Sequence, residues 1–325
     1  MQTVLSAPDL TLVGSRTAPA SVKVVRSAEW IIFAFLLYAP ALTFFVPTTA
    51  GLRTRLASLN LVVILSYASL VCLDSTKPRL MLEVIRDWLP LGMVLLAYRE
   101  MGWFAVPRQA ALLESRWIVW DRLVLGHGGR AIIESLGPVV PSALEIAYAL
   151  VYVLPPFALA VLNLYGQREM ADRFLTGVLL SVLLCYSQFP FWPSEPPRIV
   201  FAGLDLPSYS SVFRRFNLWM LGEYGIHTGV FPSAHVAGAF STAFGFRIVM
   251  PEGKRIYRSL FAMAVLIGIA TVYGRYHYLA DAICGALIAC IVPVLAPVRR
   301  TNATAAIPRH SSLLIAEADW HVAES

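Results

Sequence analysis

The chain has 325 residues, of which 58% are hydrophobic and 14% charged, with 26 Lys+Arg against 20 Asp+Glu and a net charge of +6. A soluble domain carries roughly 25% charged residues, so this composition excludes a soluble enzyme built round one large core, and the apolar content excludes a disordered chain. The basic residues are scattered between apolar runs and form no block, which argues for control of membrane topology and against a nucleic-acid partner.

Residues 1–28 are mixed and polar, with Arg16, Lys23 and Arg26. No apolar h-region opens them, so no cleavable signal peptide is expected. A membrane span needs about 20 apolar residues. The runs that meet or approach this are Trp30–Thr48, Leu56–Leu73, Leu80–Tyr98, Ala143–Tyr165, Phe174–Trp192, Ser233–Met250, Ile256–Tyr276 and Leu279–Val298. The third carries Glu83, Arg86 and Asp87 in its first half, and Pro155-Pro156 is expected to kink the fourth. Between them, residues 99–141 hold Trp103, Trp117, Trp120 and Asp121, an aromatic content that suggests segments lying on the membrane surface. Residues 193–232 read as a polar loop. The run after it is rich in small residues (Ala234, Ala237, Gly238, Ala239, Ala243, Gly245) that let helices approach closely. The expected fold is all-α, a polytopic transmembrane helix bundle of about eight spans. Residues 1–28 form its N-terminal segment, 29–298 the transmembrane domain and 299–325 a tail. Cys72, Cys185, Cys284 and Cys290 all fall in apolar runs without metal-ligand spacing and read as small buried hydrophobes.

The lysines orient the bundle. Lys23, Lys77 and Lys254 all fall in segments that share one side if the N-terminus is cytoplasmic, and positive charge marks the cytoplasmic side. Both termini are therefore expected in the cytoplasm, and the 193–232 loop, Ser233, His235 and His277 on the outer side.

Three polar clusters gather on that outer side: Pro193-Ser194-Glu195-Pro196-Pro197-Arg198, Phe231-Pro232-Ser233-Ala234-His235, and Tyr273 through Asp281. Ionisable groups at membrane depth are costly and point to function. His277 and Asp281 stand at i and i+4, one face of a helix. A carboxylate there can accept from one ring nitrogen and leave the other free as nucleophile or base. Pro232-Ser233 suits a helix start with Ser233 as N-cap, and a helix N-terminus is a ready anion site. Arg198 and Arg275 add forked donors suited to phosphate. Together these residues make a phosphoryl-transfer site. No Asp/Glu cluster of the kind that holds Mg²⁺ stands near them, so neither metal nor cofactor is expected.

Pro-Ser-x-His followed by His-x-x-x-Asp, each at a membrane-helix edge, resembles the type-2 phosphatidic acid phosphatase superfamily. The His-Tyr-x-x-Asp form, the whole of Tyr273–Asp281 and the Pro-Pro-Arg segment look most like its inositolphosphotransferase-like branch, and Arg86-Asp87-Trp88-Leu89-Pro90 resembles that branch as well. The specific likeness covers about residues 190–298. It implies that His277 takes the phosphoryl group as a phosphohistidine, that Asp281 orients it, and that His235 protonates the leaving oxygen. It also implies that Ser233, Arg198 and Arg275 hold phosphate oxygens. The chain departs from the usual motifs at two places. Phe191 stands where the first motif has Lys, with Ile199 after Arg198 instead of Pro. Ala270-Thr271 stands where the third has Ser-Arg, and Arg214 or Arg215 is then a possible substitute donor.

The implied activity is a membrane enzyme that removes or transfers a phosphoryl group on a lipid phosphate. Water as acceptor gives hydrolysis, and an alcohol such as inositol gives transfer. Phosphatidic acid, phosphatidylglycerol phosphate, isoprenoid pyrophosphates and ceramide-type acceptors all stay open. The alternative is a transporter whose pathway these groups line, against which no inverted repeat is visible. Among the other polar residues, juxtamembrane anchoring is the rival role for Arg198 and Arg275. Tyr273, Tyr276 and Tyr278 read as interfacial belt residues, Asp87 as a membrane-edge residue, Asp121-Arg122 as a surface ion pair and His227 as solvated. His127, His310 and His321 have no sequence partners.

Overall fold

Backbone amides in a bilayer must be satisfied within their own segment, so apolar runs fold there as helices. The computed structural model describes residues 24–104 and 112–295, and these contain helices and no strand. In chain order they are α1 (Ser27–Leu42), α2 (Ala50–Thr76), α3 (Leu80–Gly102), α4 (Leu112–Val124), α5 (Arg130–Ser135), α6 (Val139–Ala149), α7 (Leu154–Leu164), α8 (Ala171–Gln188), α9 (Pro197–Val200), α10 (Val212–Tyr224), α11 (Ala234–Val249), α12 (Lys254–Tyr273) and α13 (Leu279–Leu295).

Every apolar run seen in the sequence contains one of these helices, but the helix lengths do not confirm a count of eight spans. Among the described residues, α2, the segment Arg168–Gln188 and α12 are the helices long and apolar enough to cross a bilayer alone. A pair bent by 103°, Leu113–Ser135 with Val139–Tyr152, adds a fourth if it counts as one span. Ser27–Leu42, Leu154–Leu164 and Leu279–Cys290 are shorter apolar helices.

The centre of the bundle is α11, which packs against α8, α12 and α13. Its small residues make this possible: Ala237 and Ala243 are wholly buried, and a side chain added at Gly238 or Gly245 would press on Val182 of α8 or on Phe174. α1 and α3 pack on the other side of α8. Their near ends are locked by charge. Arg86 bonds Glu29 and Asp74 at 2.7 Å each, and Asp87 bonds Arg26 and Arg168 at 2.6 Å each. Asp87, expected as a membrane-edge residue, is a buried partner joining α3 to α1 and to the start of the α8 segment.

Within the 99–141 segment, α4 buries Ile118 and Asp121 and packs on α9 and α13. One other expectation is corrected: Pro155 and Pro156 do not kink a continuous helix. α6 stops at Ala149, a 3₁₀ turn covers Leu150–Tyr152, and both prolines fall in the first turn of α7. There they forfeit no helical hydrogen bond. The cysteines are free, with Cys185 buried but Cys72 and Cys290 exposed. The N-terminal segment as far as residue 23 and the expected tail lie outside the described residues.

Candidate active site

Three local structures place the polar clusters. The first is the end of α12. The amide of Tyr276 donates to the Thr271 carbonyl at 2.9 Å, and that of Arg275 to the Val272 carbonyl at 3.1 Å. This is a Schellman closure, and its left-handed residue is Arg275 at φ 62°, where glycine is usual. It turns the chain from α12 into α13 within five residues, so that His277 stands between the two helices.

The second is the start of α13. Asp281 Oδ2 accepts from the Tyr278 amide at 2.9 Å, as the third residue of a helix does in a capping box. The same oxygen is 3.4 Å from His277 Nδ1, and the Val230 carbonyl is 3.0 Å from that nitrogen. The third is the start of α11. Ser233 is its N-cap and accepts from the Val236 amide at 3.4 Å, while its own amide donates to the Asp281 carbonyl at 3.0 Å. The starts of α11 and α13 are thereby fastened together.

These caps bring His235 Nδ1 to 3.2 Å from His277 Nε2. His235 Nε2 is 3.1 Å from the Tyr152 hydroxyl. Both histidines line a cavity of about 400 Å³ with Arg198, Tyr98, Tyr148, Tyr152 and Tyr276. The rest of its wall is apolar and comes from within the bundle, including Leu91 and Leu95 of α3, Pro155 of α7, and Val178 and Val182 of α8. Arg198 lies over the Tyr276 ring at 5.7 Å, and its guanidinium makes no ion pair among the described residues. Burial lowers its pKa from the ordinary arginine value, as expected of a cation without a counter-charge. Burial, with Arg198 next, holds His277 down at about 3, so this ring is neutral near pH 7.

The other expected donors are placed elsewhere. Arg275 is wholly buried, and its guanidinium pairs with Asp121 rather than lining the cavity. Asp121 also accepts from the Leu279 amide at 2.8 Å. It is thus no surface ion-pair residue but the group that ties α4 to the start of α13. Arg214 is spent on Glu145 at 2.8 Å. The Ser233 hydroxyl caps α11 and is not on the cavity wall. Tyr273, Tyr276 and Tyr278 are not belt residues but fully buried. Tyr276 donates to Glu145 at 2.5 Å and stacks on Tyr148 at 4.0 Å. His227 is exposed, as expected. Tyr152 and Glu145 had no sequence signal, since each sits inside an apolar run without a motif. No group of three His, Cys, Asp or Glu side chains suited to a metal gathers among the described residues.

The fold and this site define a helical membrane protein whose paired histidines meet Arg198, without a counter-charge among the described residues, at the polar end of an apolar cavity. The model of the PAP2 superfamily matches residues 129–295, just over half of the chain. The chain belongs to that superfamily. No curated protein matches it. The crystal structure of Aquifex aeolicus LpxE is 23% identical, with a TM-score of 0.40, over 55% of this chain and 93% of that one.

Proposed function

We propose that this protein is a membrane lipid phosphatase or phosphotransferase acting through a phosphohistidine. The observation that carries this is the contact of His235 with His277 beside the unpaired Arg198, at the polar end of an apolar cavity. His277 has the features of a nucleophile: its Nδ1 faces the Val230 carbonyl and Asp281, which leaves Nε2 with a lone pair. Arg198 supplies the charge for the phosphate, helped by the amides of the first turn of α11. The apolar wall suits a lipid tail. A phosphorus atom in line between the two rings needs more room than 3.2 Å, so the rings part when substrate binds. His277 Nδ1 is fixed by the Val230 carbonyl and Asp281, so His235 is the ring that shifts, keeping its contact with the Tyr152 hydroxyl. It then protonates the leaving oxygen.

Transfer to an alcohol such as inositol is the second reading, favoured by the Tyr273–Asp281 sequence. The two readings share the first half-reaction and differ in what attacks the phosphohistidine. The experiment is purified protein on a panel of lipid phosphates, with and without inositol, scored for free phosphate against lipid product. Turnover is expected for at least one lipid phosphate and is expected to vanish in His277→Ala. Equal activity in His277→Ala would overturn the assignment. Activity is also expected to survive EDTA; its abolition, with restoration by Mg²⁺, would show that arginine and helix amides do not carry the charge.

A further inference from the structure

We propose that Tyr152 is the positioning residue of His235, holding its Nδ1 toward the reacting phosphate and switching its own hydroxyl from donor to acceptor as the proton moves. The inference rests on the phosphohistidine reading above.

One chain of hydrogen bonds fixes the proton positions. A carbonyl oxygen only accepts, so the 3.0 Å contact to Val230 places the proton of neutral His277 on Nδ1 and leaves Nε2 bare. His235 Nδ1, 3.2 Å from that bare nitrogen, must then carry its own proton. The remaining nitrogen of a neutral His235 is an acceptor, and the Tyr152 hydroxyl at 3.1 Å donates to it. These proton positions are assigned from the acceptor at the Val230 end. The fold puts the phenol there: Tyr152 closes the 3₁₀ turn between α6 and α7, and its ring meets that of His235 edge-on at 5.5 Å.

Turnover requires the opposite polarity. With phosphate beside it, His235 takes a second proton from solvent, onto Nε2, and that N–H now needs an acceptor. The phenol oxygen is the group in place. His277 Nε2 bonds to phosphorus, the bond from phosphorus to the leaving oxygen breaks, and His235 Nδ1 gives that oxygen its proton. The ring is left with a proton on Nε2, held by Tyr152, and a lone pair on Nδ1 aimed at the site. In the second half-reaction the acceptor oxygen bonds to phosphorus, the nitrogen–phosphorus bond breaks, and the acceptor's proton goes to that lone pair. A hydroxyl rotates to serve both states. A phenylalanine serves neither, and its ring keeps the packing.

The test is Tyr152→Phe on two substrates. An alkyl lipid phosphate leaves as a basic alkoxide and needs the acid, whereas nitrophenyl phosphate does not. Loss of one hydrogen bond to a charged ring is expected to lower kcat/KM, which reads phosphoenzyme formation without the shared second half-reaction, about ten- to hundredfold on the alkyl ester. On the nitrophenyl ester kcat/KM should change by less than about threefold, with a normal melting temperature. Equal loss on both esters, or none on either, would overturn the proposal. A second measurement needs no turnover. The ¹⁵N shifts of His235 in the purified protein at neutral pH should show a protonated Nδ1 and a bare Nε2, and Tyr152→Phe should redistribute the tautomers. A protonated Nε2 in the wild type would overturn the role of Tyr152 whatever the activity. If the expected tautomer is seen but neither ester is turned over, the phosphatase reading fails and the Tyr152 contact stands.

Discussion

Two arginines near His277 separate chemistry from architecture. Arg198 has no counter-charge among the described residues and faces the cavity, whereas Arg275 is wholly buried on Asp121. Arg198→Ala is expected to lower kcat/KM by about 100-fold, the scale of a lost charge-stabilising donor, with little change in melting temperature. Arg275→Ala should do the reverse: removing one partner of a buried pair costs about 3–5 kcal/mol, and unfolding should shift before any residual activity does. The histidines were legible because Pro-Ser-x-His and His-x-x-x-Asp are local patterns. The split between the arginines was not, because it depends on a left-handed turn at Arg275 and on Asp121 far along the chain. The turn also sets a pH dependence. Burial holds His277 at about 3 in the fold against an ordinary 6.5. The unfolded chain binds that proton first as pH falls, so stability present above about 6.5 is lost progressively toward 3. Between pH 7.5 and 5 the melting temperature should fall more in the wild type than in His277→Gln. A parallel fall would contradict the buried neutral ring.

At the scale of elements, the site depends on how closely α11 and α13 approach. A Cβ at Gly285 of α13 would lie 2.4 Å from the Ser233 carbonyl oxygen, an atom of backbone that cannot give way cheaply. Gly285→Ala should therefore push the start of α11 from that of α13, strain the bond between the Ser233 amide and the Asp281 carbonyl, and lower both activity and melting temperature. An unchanged kcat with a normal melting temperature would show that the two helix starts need not touch. The Pro-Ser start of α11 was legible from capping chemistry alone. The end of α12 was hidden because its left-handed residue is not glycine. The break at Leu150–Tyr152 was misplaced because the prolines advertise a disruption that in fact falls just before them.

Across the whole molecule, α3 links two unlike ends. Arg86 and Asp87 stand in the buried charge network, and Tyr98, about 18 Å further along the helix axis, lines the cavity. Composition alone made the helical membrane class legible, because so little charge cannot cover a soluble surface. Individual span lengths were less legible, since buried ion pairs and broken helices interrupt hydropathy without ending the bundle. From the lysine bias we propose that the network end faces the cytoplasm and the histidines the outside. Cysteines introduced near Tyr224 should react with an impermeant thiol reagent added from outside, and labelling only from the cytoplasmic side would invert the topology.

His277 is proposed to carry the phosphoryl group. The direct measurement is to quench purified protein during turnover of a phosphate-labelled lipid and locate the label by peptide mass spectrometry under alkaline conditions, where phosphohistidine survives. An acid-labile, alkali-stable phosphate is expected on the peptide bearing His277 and is expected to be absent from His277→Ala. A phosphate on His235, or steady turnover with no phosphorylated peptide at any time, would contradict it.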